Sequence, residues 1–406
     1  MRENTRSAWI LILGAFASTV PAVLVRFGFF EASPLVGVLI FGFAICGSAF
    51  LISWAAEAAQ KHISHGLIIA IVALIVVLPE YAIDMMFSWK AGNDFATYGS
   101  YPIANMTGAN RLLIGLGWPM VFFIYWLRTR SRVLSFGIQQ AVEISAIGAA
   151  TIYAFFIVLR GTLVFYDAFV LGGIFLAYLF FLTHTKKEEG EAELFGPAKL
   201  LASFSAPFNY AILVLIFLAA AGVIFLSADP FGENLIHVGE SFGIDKFVLV
   251  QWVAPLASEL PEFVVAALLV MRISASMGIA TLISSKVNQW TLLILSIPLV
   301  YAVSAGSLAP FPFDARQTEE LFLTASQSLF AVILLARRTF TFRGAALLAV
   351  LFLGQLAFPR TEIRYVFSFI YLGLGAGLII IDRQRILVLF RDALKGFRGE
   401  KNGVPS

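Results

Sequence analysis

Apolar runs follow one another along most of the chain, each closed by a short polar or basic stretch. A run of about 20 such residues is what crosses a bilayer as a helix. The pattern predicts about twelve spans, at roughly 7–30, 34–60, 66–89, 99–126, 137–159, 162–183, 206–242, 247–271, 275–303, 317–337, 342–358 and 361–381. The expected fold class is an all-α polytopic membrane protein. Two spans interrupt the apolar pattern in the same way: Leu78-Pro79-Glu80-Tyr81 and Leu260-Pro261-Glu262-Phe263 place a Pro-Glu pair mid-helix. A proline removes a backbone donor and frees the carbonyl four residues earlier, here Ile75 and Ala257. A carboxylate at the bilayer centre costs roughly 3 kcal/mol on insertion scales, so it points to an ion path. Two broken helices that bind a cation between them are the expectation.

The order of features around each Pro-Glu pair repeats. A long helix ends in Trp54-Ala55-Ala56-Glu57 in the first half and in His237-Val238-Gly239-Glu240 in the second. Glu80 and Glu262 follow, and then comes a helix opening on small and amide residues. That helix holds Ile103-Ala104-Asn105-Met106-Thr107-Gly108-Ala109-Asn110 and reaches Pro119. Its counterpart holds Ile279-Ala280-Thr281-Leu282-Ile283-Ser284-Ser285-Lys286-Val287-Asn288-Gln289 and reaches Pro298. Five spans per half is an odd number, which turns the second half upside down relative to the first. The expected organisation is an N-terminal extra helix (1–33), a first inverted repeat (34–185) and a cytoplasmic linker (186–200). A second repeat (201–358) and a further helix with a basic cytoplasmic tail (359–406) complete it.

Composition agrees with this and adds a direction. Hydrophobic residues make up 60% of the chain and charged residues 13%, against about 25% charged in soluble domains. Of 28 Lys and Arg residues, nineteen fall on the side of the N-terminus and seven, Arg364 among them, on the other. The bias puts both termini in the cytoplasm. The first apolar run has a basic start and no small-residue cleavage site, so it reads as a retained helix. Compact loops without a targeting extension suggest a prokaryotic inner membrane. The single cysteine, Cys46, excludes an intramolecular disulfide. The four histidines have no metal-ligand spacing, and no nucleophile–base set or phosphate loop is present. The reading is therefore neither an enzyme nor a nucleic-acid binder, and no cofactor is expected.

These residues resemble the sodium/calcium exchanger superfamily of cation antiporters, whose repeats carry a G-T-S-L-P-E helix followed by a G-N-x-x-G-S-N helix. Ala257-Ser258-Glu259-Leu260-Pro261-Glu262 and Leu78-Pro79-Glu80 carry the first motif. Ala104 to Asn110 and, more altered, Ala280 to Lys286 carry the second. The chain departs from the pattern at Val76 and Val77, which replace the Thr-Ser pair, at Glu259, which replaces Ser, and at Lys286, which replaces Asn. The resemblance implies a secondary antiporter that exchanges Na⁺ or Ca²⁺ for H⁺ or another cation by alternating access, with Glu80 and Glu262 as the metal ligands.

Around them, Glu259, Asp84, Asn105, Asn110, Ser258 and Ser285 are candidate ion-binding residues. Thr107, Ser284, Asn288 and Gln289 face the same Pro-Glu helices as neutral polar groups. Lys286 and Glu259 are the candidate proton-linked groups, either as a responsive pair or as a buried lock. Asp84 either extends the acidic lining or is a helix-end group partnered by Arg111. Glu57 and Glu240 either gate access or are solvated. The expected partners are small inorganic cations and the lipid bilayer. An exchanger-fold protein that has lost transport and serves as a sensor or assembly partner is the alternative, favoured by the two valines and Lys286.

Overall fold

A computed structural model describes residues 5–59, 77–185, 194–205, 208–272, 274–358 and 360–397. The Ile75 carbonyl, Val76, the start of the span expected at 66–89 and the charged run of the linker lie outside the described residues. We number the long helices α1 (Thr5–Arg26), α2 (Pro34–Ala59), α3 (Leu78–Asn93), α4 (Tyr101–Leu112, a π turn at Leu113–Gly117, then Trp118–Thr129), α5 (Gln139–Arg160) and α6 (Phe165–His184). The second half holds α7 (Phe208–Phe242), α8 (Lys246–Arg272), α9 (Ala275–Asn288, a π turn at Gln289–Leu293, then Ile294–Ala305), α10 (Ala315–Leu335) and α11 (Phe342–Ala357). α12 (Thr361–Ile381) and α13 (Arg385–Phe397) follow.

Each expected span has a helix at its place. Ten of the described helices are long and apolar enough to cross a membrane, whereas α11 and the described part of α3 are 16 residues each. Large apolar side chains such as Leu13, Phe169 and Leu215 point outward on α1, α6 and α7, as lipid-facing surfaces require. The sequence reading missed α13, which lies in the expected basic tail, and four short strands in the loops. The broken second Pro-Glu helix is corrected: α8 runs unbroken through both Pro255 and Pro261. The irregular backbone sits instead in the π turns of α4 and α9, a feature frequent at functional sites.

The strands establish the inversion. β1 (Val133–Ser135), in the α4–α5 loop, pairs antiparallel with β4 (Thr339–Thr341), in the α10–α11 loop. β2 (Thr162–Leu163), in the α5–α6 loop, pairs with β3 (Phe311–Pro312), in the α9–α10 loop. Successive loops of spanning helices alternate between membrane faces. Taking α2–α6 and α7–α11 as the two sets, each ribbon joins a third-to-fourth loop to a fourth-to-fifth loop of the other set. Such loops meet on one face only when one set is inverted.

Packing divides the molecule in two. One apolar cluster is built from α4, α5, α6, α9, α10 and α11. The other joins α1, α2 and α7 with parts of α3 and α8, and α2 lies along α7 within it. The clusters meet where α4 crosses α8. Gly108 is needed at that crossing, because a Cβ there would sit 1.8 Å from the Gln251 carbonyl oxygen. Pro255 has no N–H to give that carbonyl, so the closest backbone approach falls on an acceptor released from its own helix.

Candidate functional site

Glu80 enters from the first turn of α3, and Glu259 and Glu262 from one face of α8. All three are buried. Glu80 and Glu262 lie near each other, and Glu259 lies near both, as well as near Lys286. Gln289, the first residue of the α9 π turn, donates its Nε2 to Glu80 Oε1 at 2.8 Å. Ser285, one turn earlier, faces Glu262.

The site is rich in acceptors and poor in donors. Glu80 Oε2, both oxygens of Glu259, Glu262 Oε2 and Gln289 Oε1 are buried and accept no hydrogen bond among the described residues. An unsatisfied buried acceptor costs about 1–3 kcal/mol, and a hard cation is a ligand that relieves several at once. Among the described residues no three Asp, Glu, His or Cys side chains converge as a ready-made metal cage. An ion held here therefore draws on amide and carbonyl oxygens beside the carboxylates.

The expected residues do not all meet at this point. Asp84 is buried one turn beyond Glu80 and accepts from Asn105 Nδ2 at 2.7 Å, leaving its Oδ2 and the Asn105 Oδ1 free. Its proposed partner Arg111 is elsewhere. Arg111 pairs with Glu320 of α10 at 2.5 Å and covers the Trp252 ring at 5.1 Å. Arg364 of α12 joins the same carboxylate and lies 3.8 Å from Glu319. Arg364, counted from sequence as an outer-loop residue, is thus a buried member of an ion network that ties α4, α10 and α12 together. The Ser258 hydroxyl donates to the carbonyls of Ala254 and Pro255 at 3.3 and 3.2 Å, leaving its lone pairs available.

Lys286 makes no ion pair with Glu259, which corrects the direct buried pair expected from sequence. Its ammonium donates to Asn110 Oδ1 at 2.6 Å and stands 4.1 Å from the centre of the Trp290 ring. Trp290 is itself held by its Nε1 donating to Thr151 Oγ1 at 2.9 Å. Asn110 Nδ2 donates to the Met106 carbonyl, so both ends of this amide are engaged. Thr107 bonds back to the Ile103 carbonyl and receives a 3.4 Å contact from Gln251. Ser284 meets the Tyr178 hydroxyl at 3.3 Å. Glu57 is half-buried beside Ser53, whereas Glu240 is exposed and paired with Lys246 at 2.5 Å, so it is a solvated helix end.

Sequence reasoning missed Glu319, Glu320 and Gln251. Each stands close to the start of its predicted span, where a charged or amide residue reads as a solvated helix entrance. A usable signal was present in α10, where Glu320, Thr324 and Gln327 recur at helical spacing on one polar stripe.

A family model described as sodium/calcium exchanger protein matches residues 33–184 and 212–360. The chain belongs to the sodium/calcium exchanger family. A crystal structure of the H⁺/Ca²⁺ exchanger CAX matches this exchanger with a TM-score of 0.93 and 39% identity, covering 97% of this chain and 100% of the other. Native YfkE gives 0.59 at 14% identity over 92% and 99% of the two chains. A structure of the sodium-calcium exchanger NCX_Mj gives 0.50 at 15% identity over 86% and 99%. These last two likenesses establish the fold alone. A search of curated proteins gave no match to this exchanger.

Proposed function

We propose that this family member is a secondary cation antiporter that exchanges Ca²⁺, or Na⁺ in its place, for protons or another cation by alternating access. One observation carries the reading. Glu80 from the first repeat and Glu262 from the second enter one buried cluster whose oxygens outnumber its donors. Ca²⁺ gathers about 6–8 oxygen ligands and accepts carboxylates, amides and carbonyls alike. The relative at 39% identity is described as an H⁺/Ca²⁺ exchanger, which favours Ca²⁺ as cargo and H⁺ as counter-ion.

In this scheme Glu80 and Glu262 are the metal ligands, with Glu259, Asp84 and the free Asn105 Oδ1 completing the acidic lining. Ser258 and Ser285 add neutral oxygens without losing a bond. Asn110 can join only after Lys286 lets it go. Lys286 and Glu259 are the proton-linked groups: while Lys286 is charged it holds Asn110 and its ammonium opposes a second cation. Within the repeats at 34–185 and 201–358, the first two helices of each slide against the remaining helices along the seam between the two apolar clusters. Both termini face the cytoplasm of a prokaryotic inner membrane.

Ion flux into proteoliposomes tests this, with Ca²⁺ or Na⁺ outside, with and without a pH gradient, and a dye reporting internal pH. Uptake with proton counter-flow is expected, falling at least about 100-fold in Glu262→Gln, because a lost charged ligand costs about 3 kcal/mol. Folded wild-type protein with neither flux nor cation-induced stabilisation would overturn the antiporter reading and leave the sensor or assembly role.

A further inference from the structure

A groove of about 480 Å³ opens at the β1–β4 ribbon, lined by Trp126, Arg132, Thr341, Phe342 and Arg343. None of these residues belongs to the carboxylate cluster. The ribbon brings the lining together from both repeats. The Phe342 amide donates to the Arg132 carbonyl at 2.9 Å, so Arg132 stands opposite the Phe342-Arg343 step. The Phe342 ring lies 5.1 Å from Trp126 and also meets Phe122 and Phe123, which makes an aromatic floor. Trp126 stands in the last turn of the Phe95–Thr129 span, at the level where aromatic side chains mark the membrane–water interface.

The two arginines differ from their neighbours. Arg337 is paired with Asp382, and Arg338 with Asp392 at 3.0 Å. Arg128 donates to the Val270 carbonyl at 2.6 Å, and Arg130 covers the Trp126 ring at 5.3 Å. Arg132 and Arg343 are exposed, and among the described residues neither has a carboxylate in ion-pair range or a side-chain hydrogen-bond partner. Two unpaired guanidiniums beside an apolar floor at the interface match the two ends of a lipid. Guanidinium forks suit phosphate, and basic recesses between spanning helices suit anionic headgroups.

We propose that this groove binds one anionic phospholipid, its phosphate held by Arg132 and Arg343 and its first acyl segment lying on Trp126 and Phe342. The lipid bridges the two repeats at the ribbon that joins them. A free anion could use the arginines but not the floor, and a zwitterionic lipid could use the floor but not both arginines. The site is independent of the transported ion, so it stands or falls apart from the antiporter reading.

The test is titration of the delipidated, detergent-purified full chain with dioctanoyl phosphatidylglycerol, dioctanoyl phosphatidylcholine and glycerol phosphate, read by native mass spectrometry. Phosphatidylglycerol should bind as a single saturable adduct, about fivefold more weakly in Arg132→Gln or Arg343→Gln and about thirtyfold more weakly in the double variant. Phe342→Ala should weaken the lipid and leave any glycerol phosphate adduct unchanged. Elution as a monodisperse species on size exclusion checks that the variants fold. Equal binding of phosphatidylcholine overturns the proposal. So does an undiminished phosphatidylglycerol adduct in the folded double variant, and so does glycerol phosphate binding as tightly as the lipid, which would make the groove a free-anion site.

Discussion

In the first repeat the π turn of α4 follows Gly108, Asn110 and Arg111; in the second the π turn of α9 follows Ser284, Lys286 and Val287. The turns begin at Leu113 and Gln289, the same 176-residue offset that separates Asn110 from Lys286, which touch each other. The two helices therefore share a frame, and one equivalent pair, Asn110 and Lys286, is in direct contact. Their side chains do not match. A backbone-contact glycine corresponds to a serine, an amide to an ammonium, and a buried guanidinium to a valine. Symmetry is kept in the π turns and abandoned in the side chains that precede them.

The largest effect is expected at the last of these pairs. Arg111 is fully buried among Glu320, Glu319 and Arg364, whereas Val287 is an ordinary core residue. Arg111→Met leaves Glu320 with Arg364 alone and should lower stability by about 3–5 kcal/mol, the usual cost of breaking a buried pair. Val287→Met should cost about 1–3 kcal/mol from overpacking. Thermal unfolding in detergent with a thiol-reactive reporter on Cys46 gives both values. Equal losses would show that the network adds nothing beyond packing. A loss at Arg111 reversed by Glu320→Gln would show that the uncompensated carboxylate, more than the lost bond, carries the penalty.

The next pair tests the frame itself. Gly108→Ala drives a Cβ into the Gln251 carbonyl oxygen, 1.8 Å away before relaxation, and so must separate α4 from α8. A cost of about 1–3 kcal/mol is expected. Ser284→Ala removes only a 3.3 Å contact with Tyr178 and should cost about 1 kcal/mol at most. The same pair of variants separates stability from transport. Moving α4 displaces Asn105 and Asn110 relative to α8, so Gly108→Ala should also weaken cation uptake, while Ser284→Ala should not.

Much of this could be read from the chain because membrane spans are long, apolar and bounded by charge. The Pro-Glu pairs stood out for the same reason: a carboxylate in an apolar run is conspicuous. The inversion followed from counting helices, and the strand pairing bears it out. What stayed hidden depends on three-dimensional neighbours. Only the polar stripe shared with Thr324 and Gln327 separates Glu320 from a glutamate at a solvated helix start, and its burial comes from Arg364 of α12 lying against it. The π turns have no composition signal, yet one of them opens on Gln289, the residue that donates to Glu80. Glu259 and Lys286, the two charged departures from the motifs, suggested a buried pair. The ammonium instead reaches across the repeat boundary to an amide.

That reach makes Lys286→Asn the finest probe of the comparison, since it makes the equivalent positions identical. Two roles for the lysine predict different results. As a proton-linked group, its charge opposes the incoming cation at acid pH and vanishes once it is deprotonated. A unit charge roughly 10 Å away at an effective dielectric of about 20 is worth about 1.7 kcal/mol, a little over tenfold. Lys286→Asn should then tighten apparent Ca²⁺ affinity about tenfold at the acid end of the activity range, with no change at the alkaline end, flattening the pH profile. As a fixed clasp, Lys286 stays charged throughout, and its removal should tighten affinity equally at every pH while lowering thermal stability through the lost Asn110 and Trp290 contacts. Uptake measured across pH in wild type and Lys286→Asn distinguishes the two. A parallel shift of the whole profile would assign proton coupling to the carboxylates alone and leave the lysine as the built-in cation of an asymmetric site.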